Sequence, residues 1–171
     1  DEGKISEECK NAEISIAYQN GEQQVILNGE NVTAYIRKEE VGNMASATSV
    51  YPKVREKLVE LQKELAKKSN VIMDGRDIGT CVLPDAQVKI YLTASVQTRA
   101  KRRYDELKEK GVSCNIEEIQ KDIEDRDYRD MHREMSPLKQ AEDAVLLDSS
   151  ELNIDEVVLA IEKICKEKGI V

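Results

Sequence analysis

The chain contains no Trp and no Phe, and six Tyr make up its whole 4% aromatic content. Any core must therefore be aliphatic, built from Ile, Val, Leu and Met. With 40% of its 171 residues hydrophobic, the chain can bury such a core as one domain, or as one with a small appended lobe. Long apolar runs are missing too. Nothing approaches the roughly 18 consecutive apolar residues of a membrane-spanning helix, and no charged start followed by an apolar stretch resembles a signal peptide. Histidine occurs once, and Cys9, Cys81, Cys114 and Cys165 form no C-x-x-C pair, so a zinc site has poor support. The thiols are expected to be free, in a reducing cytoplasm. Positive charge is also short, 26 Lys and Arg against 34 Asp and Glu, which argues against broad adhesion to a nucleic acid polymer or an anionic membrane. A local grip on phosphate is still open to such a chain. The first residue is Asp1 rather than Met, and residues upstream of it are expected.

After a polar lead-in, Asp1 to Lys10, three short β-branched runs follow at Ile14–Tyr18, Gln24–Leu27 and Val32–Ile36, separated by Asn20-Gly21 and Asn28-Gly29. Asn-Gly supplies the positive φ angles of tight primed turns, so residues 12–36 are expected to form a three-stranded antiparallel meander. Pro52 then opens a helix in which Val54, Leu58, Leu61 and Leu65 form one apolar stripe. Three later apolar runs, Asn70–Asp74, Gln87–Thr93 and Ala144–Asp148, lack alternation, as strands covered on both faces do. Helical segments separate them, which predicts a parallel α/β sheet with ligands at the carboxyl ends of its strands. Residues 96–133 read as two helices joined near Gly111-Val112-Ser113. The last helix is expected from about Ile154 to Lys168, capped by Asn153 with Glu156 and stopped by Gly169.

The most informative stretch is Val71 to Thr80, where an apolar run ends in Asp74-Gly75-Arg76-Asp77. Such a turn delivers charges to a strand's carboxyl edge. Asp74 has the chemistry to hold a hydrated Mg²⁺, Arg76 to grip a phosphate with its planar fork, and Asp77 to accept from an exocyclic amine. A surface turn with an Arg-Asp ion pair accounts for the same pattern. A second signal is arginine placement: residues 99–133 hold six of the nine arginines but four of the seventeen lysines. Arg is favoured over Lys where bidentate phosphate recognition matters. Arg99, Arg102 and Arg103 share one helix face, as do Arg126, Arg129 and Arg133, with Asp130 four residues beyond Arg126. Two solvated helices laced by salt bridges remain the plain alternative. Ser46 and Arg55 flank Tyr51-Pro52, and by themselves read equally as a helix-end residue and a surface cation.

Several blocks follow in order along the chain: Asp74-Gly75-Arg76-Asp77-Ile78-Gly79-Thr80, Leu83-Pro84-Asp85-Ala86, Lys89-Ile90-Tyr91-Leu92-Thr93-Ala94-Ser95, Arg99-Ala100-Lys101-Arg102-Arg103, Pro137-Leu138 and Ala141-Glu142-Asp143-Ala144. Taken together, they resemble the bacterial cytidylate kinases, which belong to the P-loop nucleoside monophosphate kinases. The likeness runs from about Ala12 to Lys168, with the blocks in order.

The resemblance implies transfer of the γ-phosphoryl group of ATP to CMP or dCMP, with Mg²⁺, by a cytoplasmic enzyme that is monomeric at full length. It implies that Ser46, Arg55 and Asp77 read cytosine. Arg76, Arg126 and Arg133 bind phosphate, and Asp130 contacts the sugar hydroxyl; Asp74, on the chemistry of its own turn, is expected among the catalytic residues, reaching Mg²⁺ through water. It also implies a monophosphate-binding lobe at 1–69 carrying the meander, a core at 70–95 and 134–171, and a mobile lid at 96–133 whose Arg99, Arg102 and Arg103 face ATP. Another base specificity within the same kinase class, or a non-catalytic nucleotide-binding fragment, are the alternatives.

One departure stands against this resemblance. The family begins with a strand and a G-x-x-x-x-G-K-S/T loop that cradles the ATP phosphates, and no such sequence occurs in these 171 residues. The family's loop strand lies between neighbours equivalent to Asn70–Asp74 and Gln87–Thr93. Without it two strand edges and the core are left open. The 171 residues alone are therefore expected to fold poorly and to lack kinase activity, and to correspond to the C-terminal part of a longer kinase.

Overall fold

Two Asn-Gly pairs shape the first part of the chain. In the computed structural model, which describes residues 1–170 apart from the side chains of Glu39 and Ser46, Asn20 and Gly21 adopt φ of 55° and 81°, and Asn28 and Gly29 adopt 50° and 83°. These left-handed angles match the twist of the strands they join. Strands β1 (Ile14–Gln19) and β2 (Glu22–Leu27) pair antiparallel with Ile14 opposite Leu27 and Gln19 opposite Glu22, and β3 (Glu30–Asn31) adds to β2.

The expected third strand at Val32–Ile36 is not formed. Val32 N still donates to Val25 O at 2.9 Å, but Val25 N donates at 2.8 Å to the Thr33 hydroxyl instead of to a strand carbonyl. The Val32 carbonyl, released from the ladder, accepts from Tyr35 N and Ile36 N, and the chain folds into turns.

Helix α1 (Glu2–Lys10) occupies the segment expected as a polar lead-in; Asp1 caps it by accepting from Lys4 N at 3.2 Å. Helix α2 (Glu39–Thr48) follows the meander, and α3 (Pro52–Lys68) starts at Pro52, whose missing N–H would have no partner in a first turn. Helix α1 packs on α3, where Val54 and Ser6 are buried. The stripe that Val54 begins is partly wet, since Leu58 stays exposed. Together these elements make a first compact unit, Asp1–Met73.

A second unit begins at Asp74. Its sheet is parallel, β4 (Ile90–Thr93) beside β5 (Val145–Asp148), with Ile90 opposite Val145 and Thr93 opposite Asp148. Both strands are shorter than their apolar runs. Between them come α4 (Val96–Glu109) and α5 (Ile116–His132), packed on one another, and after them α6 (Ile154–Glu167). The cap predicted for α6 is a full capping box: Asn153 accepts from Glu156 N at 3.0 Å, and Glu156 accepts from Asn153 N at 2.8 Å.

Asn70–Asp74, expected as a covered strand, is not one. No described strand lies alongside it, and Ile72 is fully exposed. A strand exists through its partner's hydrogen bonds, and an apolar run cannot supply those alone. The expected aliphatic core is correspondingly thin. Among the described residues, the buried apolar side chains of this unit are Val82, Ala94 and Ala100, while Leu92 and Leu146 on the sheet are 54% and 58% exposed.

Candidate functional site

The second unit gathers its charged residues around two neighbouring pieces of backbone. The first is the turn after Asp74. Gly75 is required there by close approach, because a Cβ on it would stand 2.9 Å from Ile78 Cγ1. Arg76 and Asp77 follow, half-buried, and the chain then closes a single π-helical turn, Ile78–Val82. π-helical turns are rare and are frequently found at functional sites. The Asp77 carbonyl accepts from Cys81 N at 2.8 Å and Val82 N at 3.3 Å, and Ile78 O accepts from Leu83 N at 2.7 Å. Val82, 1% exposed, anchors the turn in the core; burying a Val side chain contributes about 1.5–3 kcal/mol.

The second piece is the C-terminal end of α5. Asp130 there receives Arg76 Nε on Oδ2 at 2.9 Å, has Arg126 Nε 4.0 Å from the same oxygen and holds Arg133 Nη1 3.6 Å from Oδ1. Arg126 and Arg133 reach it because they stand one turn away on the same helix face. Arg76 reaches it from the preceding loop. The chain around the cluster is fixed by backbone contacts. Arg133 Nε donates to Ser136 O at 2.8 Å, Leu138 N donates to Asp130 O at 2.7 Å, and Ser136 adopts φ of 49°. Cys81 Sγ lies 3.4 Å from Ser136 Oγ, so the π turn and the arginine corner touch.

Electrostatically the cluster is unbalanced. Three guanidinium groups share one carboxylate, an excess of two positive charges at a place where Arg133 and Asp130 are 16% and 18% exposed. Planar forks with spare N–H donors around a positive excess suit a dianionic phosphate.

The other predicted residues sit differently. Arg129, expected on the same face as Arg126 and Arg133, donates to Asp125 O at 3.2 Å on its own helix. Arg99, Arg102 and Arg103 each have a different partner. Arg99 is bidentate to Asp127, with Nη1 3.0 Å from Oδ1 and Nη2 2.5 Å from Oδ2, and its Nε donates to Ala94 O at 3.0 Å. The Asp127 hydrogen bond raises the Arg99 pKa above its ordinary value against the opposing effect of burial. Arg102 donates to the carbonyls of Ser149 at 2.6 Å and Leu152 at 3.0 Å, tying α4 to the loop after β5. Arg103 pairs with Glu106 at 2.8 Å, about half-exposed. Asp74 is exposed at the mouth of its turn. Arg55 is half-buried on α3 of the first unit. Ser46 lies outside the described residues as far as its side chain is concerned.

Three participants were not anticipated: Asp127, Ser136 and Lys89. The Arg99–Asp127 and Cys81–Ser136 contacts span 28 and 55 residues, beyond any helical spacing rule. Lys89 opens the Lys89–Ser95 block, for which the resemblance implies no role.

These features define a mixed α/β protein with a guanidinium cluster at a loop and helix end, an arrangement suited to phosphate. The chain belongs to the cytidylate kinase family, whose sequence model matches residues 1–167. It is 51% identical over 168 residues to the cytidylate kinase of Lactobacillus gasseri, covering 98% of this chain and 73% of that protein. It is 49% identical over 161 residues to that of Enterococcus faecalis, covering 94% and 71%. The cytidylate kinase of Streptococcus pneumoniae Hungary19A-6 is 54% identical over 142 residues, 83% of this chain and 64% of that protein.

Proposed function

We propose that these residues are the C-terminal part of a cytidylate kinase that transfers the γ-phosphoryl group of ATP to CMP or dCMP, giving CDP or dCDP. The observation that carries this reading is the convergence of Arg76, Arg126 and Arg133 on Asp130. In the transfer, a phosphate oxygen of the monophosphate bonds to the γ-phosphorus as the bond to the β,γ-bridging oxygen breaks. Protein takes little covalent part, and catalysis rests on neutralising the oxygens that gain charge. Arg76, Arg126 and Arg133 are assigned that task, and Asp130 is assigned the sugar hydroxyl.

Base choice is assigned to Asp77, Arg55 and Ser46. Cytosine offers an amine donor at N4 and acceptors at N3 and O2, which a carboxylate and a guanidinium complement. Uracil places a lone pair where the carboxylate needs a donor. Such mispairing costs about 1–3 kcal/mol for each group left unpaired, enough for strong discrimination.

Among the described residues no group of three His, Cys, Asp or Glu forms a metal cage. Asp74 fits a Mg²⁺ that arrives on nucleotide phosphates with its waters, the usual mode for this ion. When bound, Mg²⁺ would neutralise phosphate oxygens. We assign 96–133 as the lid, with Arg99 and Arg102 keeping its geometry through Asp127 and Ser149, and Arg103 facing the donor. Lid closure excludes the water that competes as acceptor.

The alternatives are a nucleotide-binding fragment without catalysis and a nucleoside monophosphate kinase of other base specificity. The test is ATP-dependent phosphorylation by the full gene product with CMP, dCMP, UMP and AMP in competition. Preferential formation of CDP or dCDP is expected. Equal use of UMP or AMP would overturn the specificity, and no turnover of any of them would overturn the kinase.

A further inference from the structure

Lys89 stands just before β4, and its side chain is 8% exposed. A buried ammonium is costly unless its donors are met. Here Nζ donates to the Pro84 carbonyl and lies 2.7 Å from the Asp143 carboxylate. Its stem runs beneath Gly79: a Cβ on that glycine would stand 3.2 Å from Lys89 Cδ and 3.5 Å from Cγ. One side chain therefore touches the π turn, the Leu83–Ala86 bend and the segment leading into β5. The π turn closes on the Asp77 carbonyl. A displacement of the turn is thus a displacement of Asp77.

We propose that Lys89 is a positioning residue for base selection, which pins the Ile78–Val82 turn against the start of β4 and so fixes where the Asp77 carboxylate stands. The inference rests on the cytidylate kinase reading and adds to it the means by which the selecting acid is held. Gly79 is the other half of the device. With Lys89 anchored at its head by two acceptors and at its base by the strand, its stem has little freedom to move, so a Cβ at position 79 is accommodated by a shift of the turn of a few tenths of an ångström.

The test uses the full gene product and compares the wild type with Lys89→Met, which keeps the stem and removes the donors, and Gly79→Ala, which keeps the charge. Steady-state kinetics with CMP and with UMP at saturating ATP are read beside thermal unfolding. Displacing a positioned group by a fraction of an ångström to an ångström costs from about tenfold to a hundredfold. Lys89→Met is expected to raise KM for CMP and to reduce the CMP to UMP ratio of kcat/KM by about tenfold, with KM for ATP unmoved. Gly79→Ala is expected to move the ratio the same way, and it carries the test if Lys89→Met fails to fold. A lowered unfolding temperature with the ratio within twofold of wild type in the folded variants would make the contact structural and overturn the inference. A wild type that does not prefer CMP would instead overturn the functional reading, and the inference with it.

Discussion

Arg76 and Asp130, 54 residues apart in sequence, meet at 2.9 Å, and Arg126 and Arg133 close on the same carboxylate. The two roles proposed for this region, charge neutralisation and base choice, fall on adjacent residues and are separable by mutation. Arg133→Ala should slow turnover with every monophosphate by about a hundredfold, the usual cost of removing one donor to developing charge. Asp77→Ala should instead narrow the preference for CMP over UMP by about tenfold or more. Initial rates with both substrates check this, and equal losses in both variants would contradict the assignment.

The same carboxylate keeps three like charges together. Removing one partner of a partly buried pair leaves the others uncompensated, so Asp130→Asn should destabilise the fold by about 1–2 kcal/mol, discounted for the solvent that reaches Arg126 and Arg76. Inorganic phosphate should restore much of the loss, because an anion that binds the folded state alone stabilises it by mass action. Thermal melts at low salt, with and without phosphate, would show it. A variant as stable as wild type, or deaf to phosphate, would mean that the arginines do not form an anion site.

What the sequence disclosed was local chemistry. The Asn20-Gly21 turn, the Pro52 start and the Asn153 cap are decided by neighbours within four residues, and each formed where expected. What it hid was non-local. Val32–Ile36 has the composition of a strand, yet one hydroxyl, Thr33 Oγ1, takes the donor that would have continued the ladder. Asn70–Asp74 is as apolar as a buried strand, but a strand is defined by what lies beside it. The site divides the same way. Spacing placed Arg126 and Arg133 on one face with Asp130, whereas the arrival of Arg76, and the diversion of Arg99 and Arg102 to Asp127 and Ser149, depend on the fold.

Acid should weaken the second unit in a defined way. The hydrogen bond from Lys89 holds the Asp143 carboxyl below its ordinary pKa, and the Ser150 hydroxyl and backbone N–H do the same for Asp148. A group whose folded pKa is depressed contributes stability that is fully present above its unfolded pKa and lost as pH falls through the folded value. Both contributions are therefore intact at neutral pH and disappear below about pH 4. Both carboxyls are solvent-exposed, so the effect is a change of slope. The urea midpoint should fall between about pH 4 and pH 2, less steeply in Asp148→Asn. Identical slopes would show that the Ser150 contacts contribute nothing in solution.

The lid assignment predicts a split between helix packing and chemistry. Arg99 joins α4 to α5 through a two-pronged contact that Lys cannot reproduce. Arg99→Lys should therefore loosen the helix pair, raising KM for ATP several-fold with little change in KM for CMP. Hydrogen exchange in 96–133 should rise in parallel. Were KM for CMP to rise instead, with exchange unaltered, the segment would belong to the acceptor side and not to a lid.

The 171 residues by themselves should bring about no phosphoryl transfer. Transfer requires the donor phosphates to be held in line with the acceptor, and the glycine-rich lysine loop that does this in P-loop kinases has no counterpart in the sequence. The sheet that would support such a loop has two described strands, with Leu92 and Leu146 more than half exposed. The purified chain should accordingly form no CDP from ATP and CMP. Calorimetric titration separates the remaining possibilities. CMP binding without turnover would fit a fragment that keeps its acceptor pocket, whereas CDP formation by the chain alone would require another donor site among these residues and would refute the proposed division of labour.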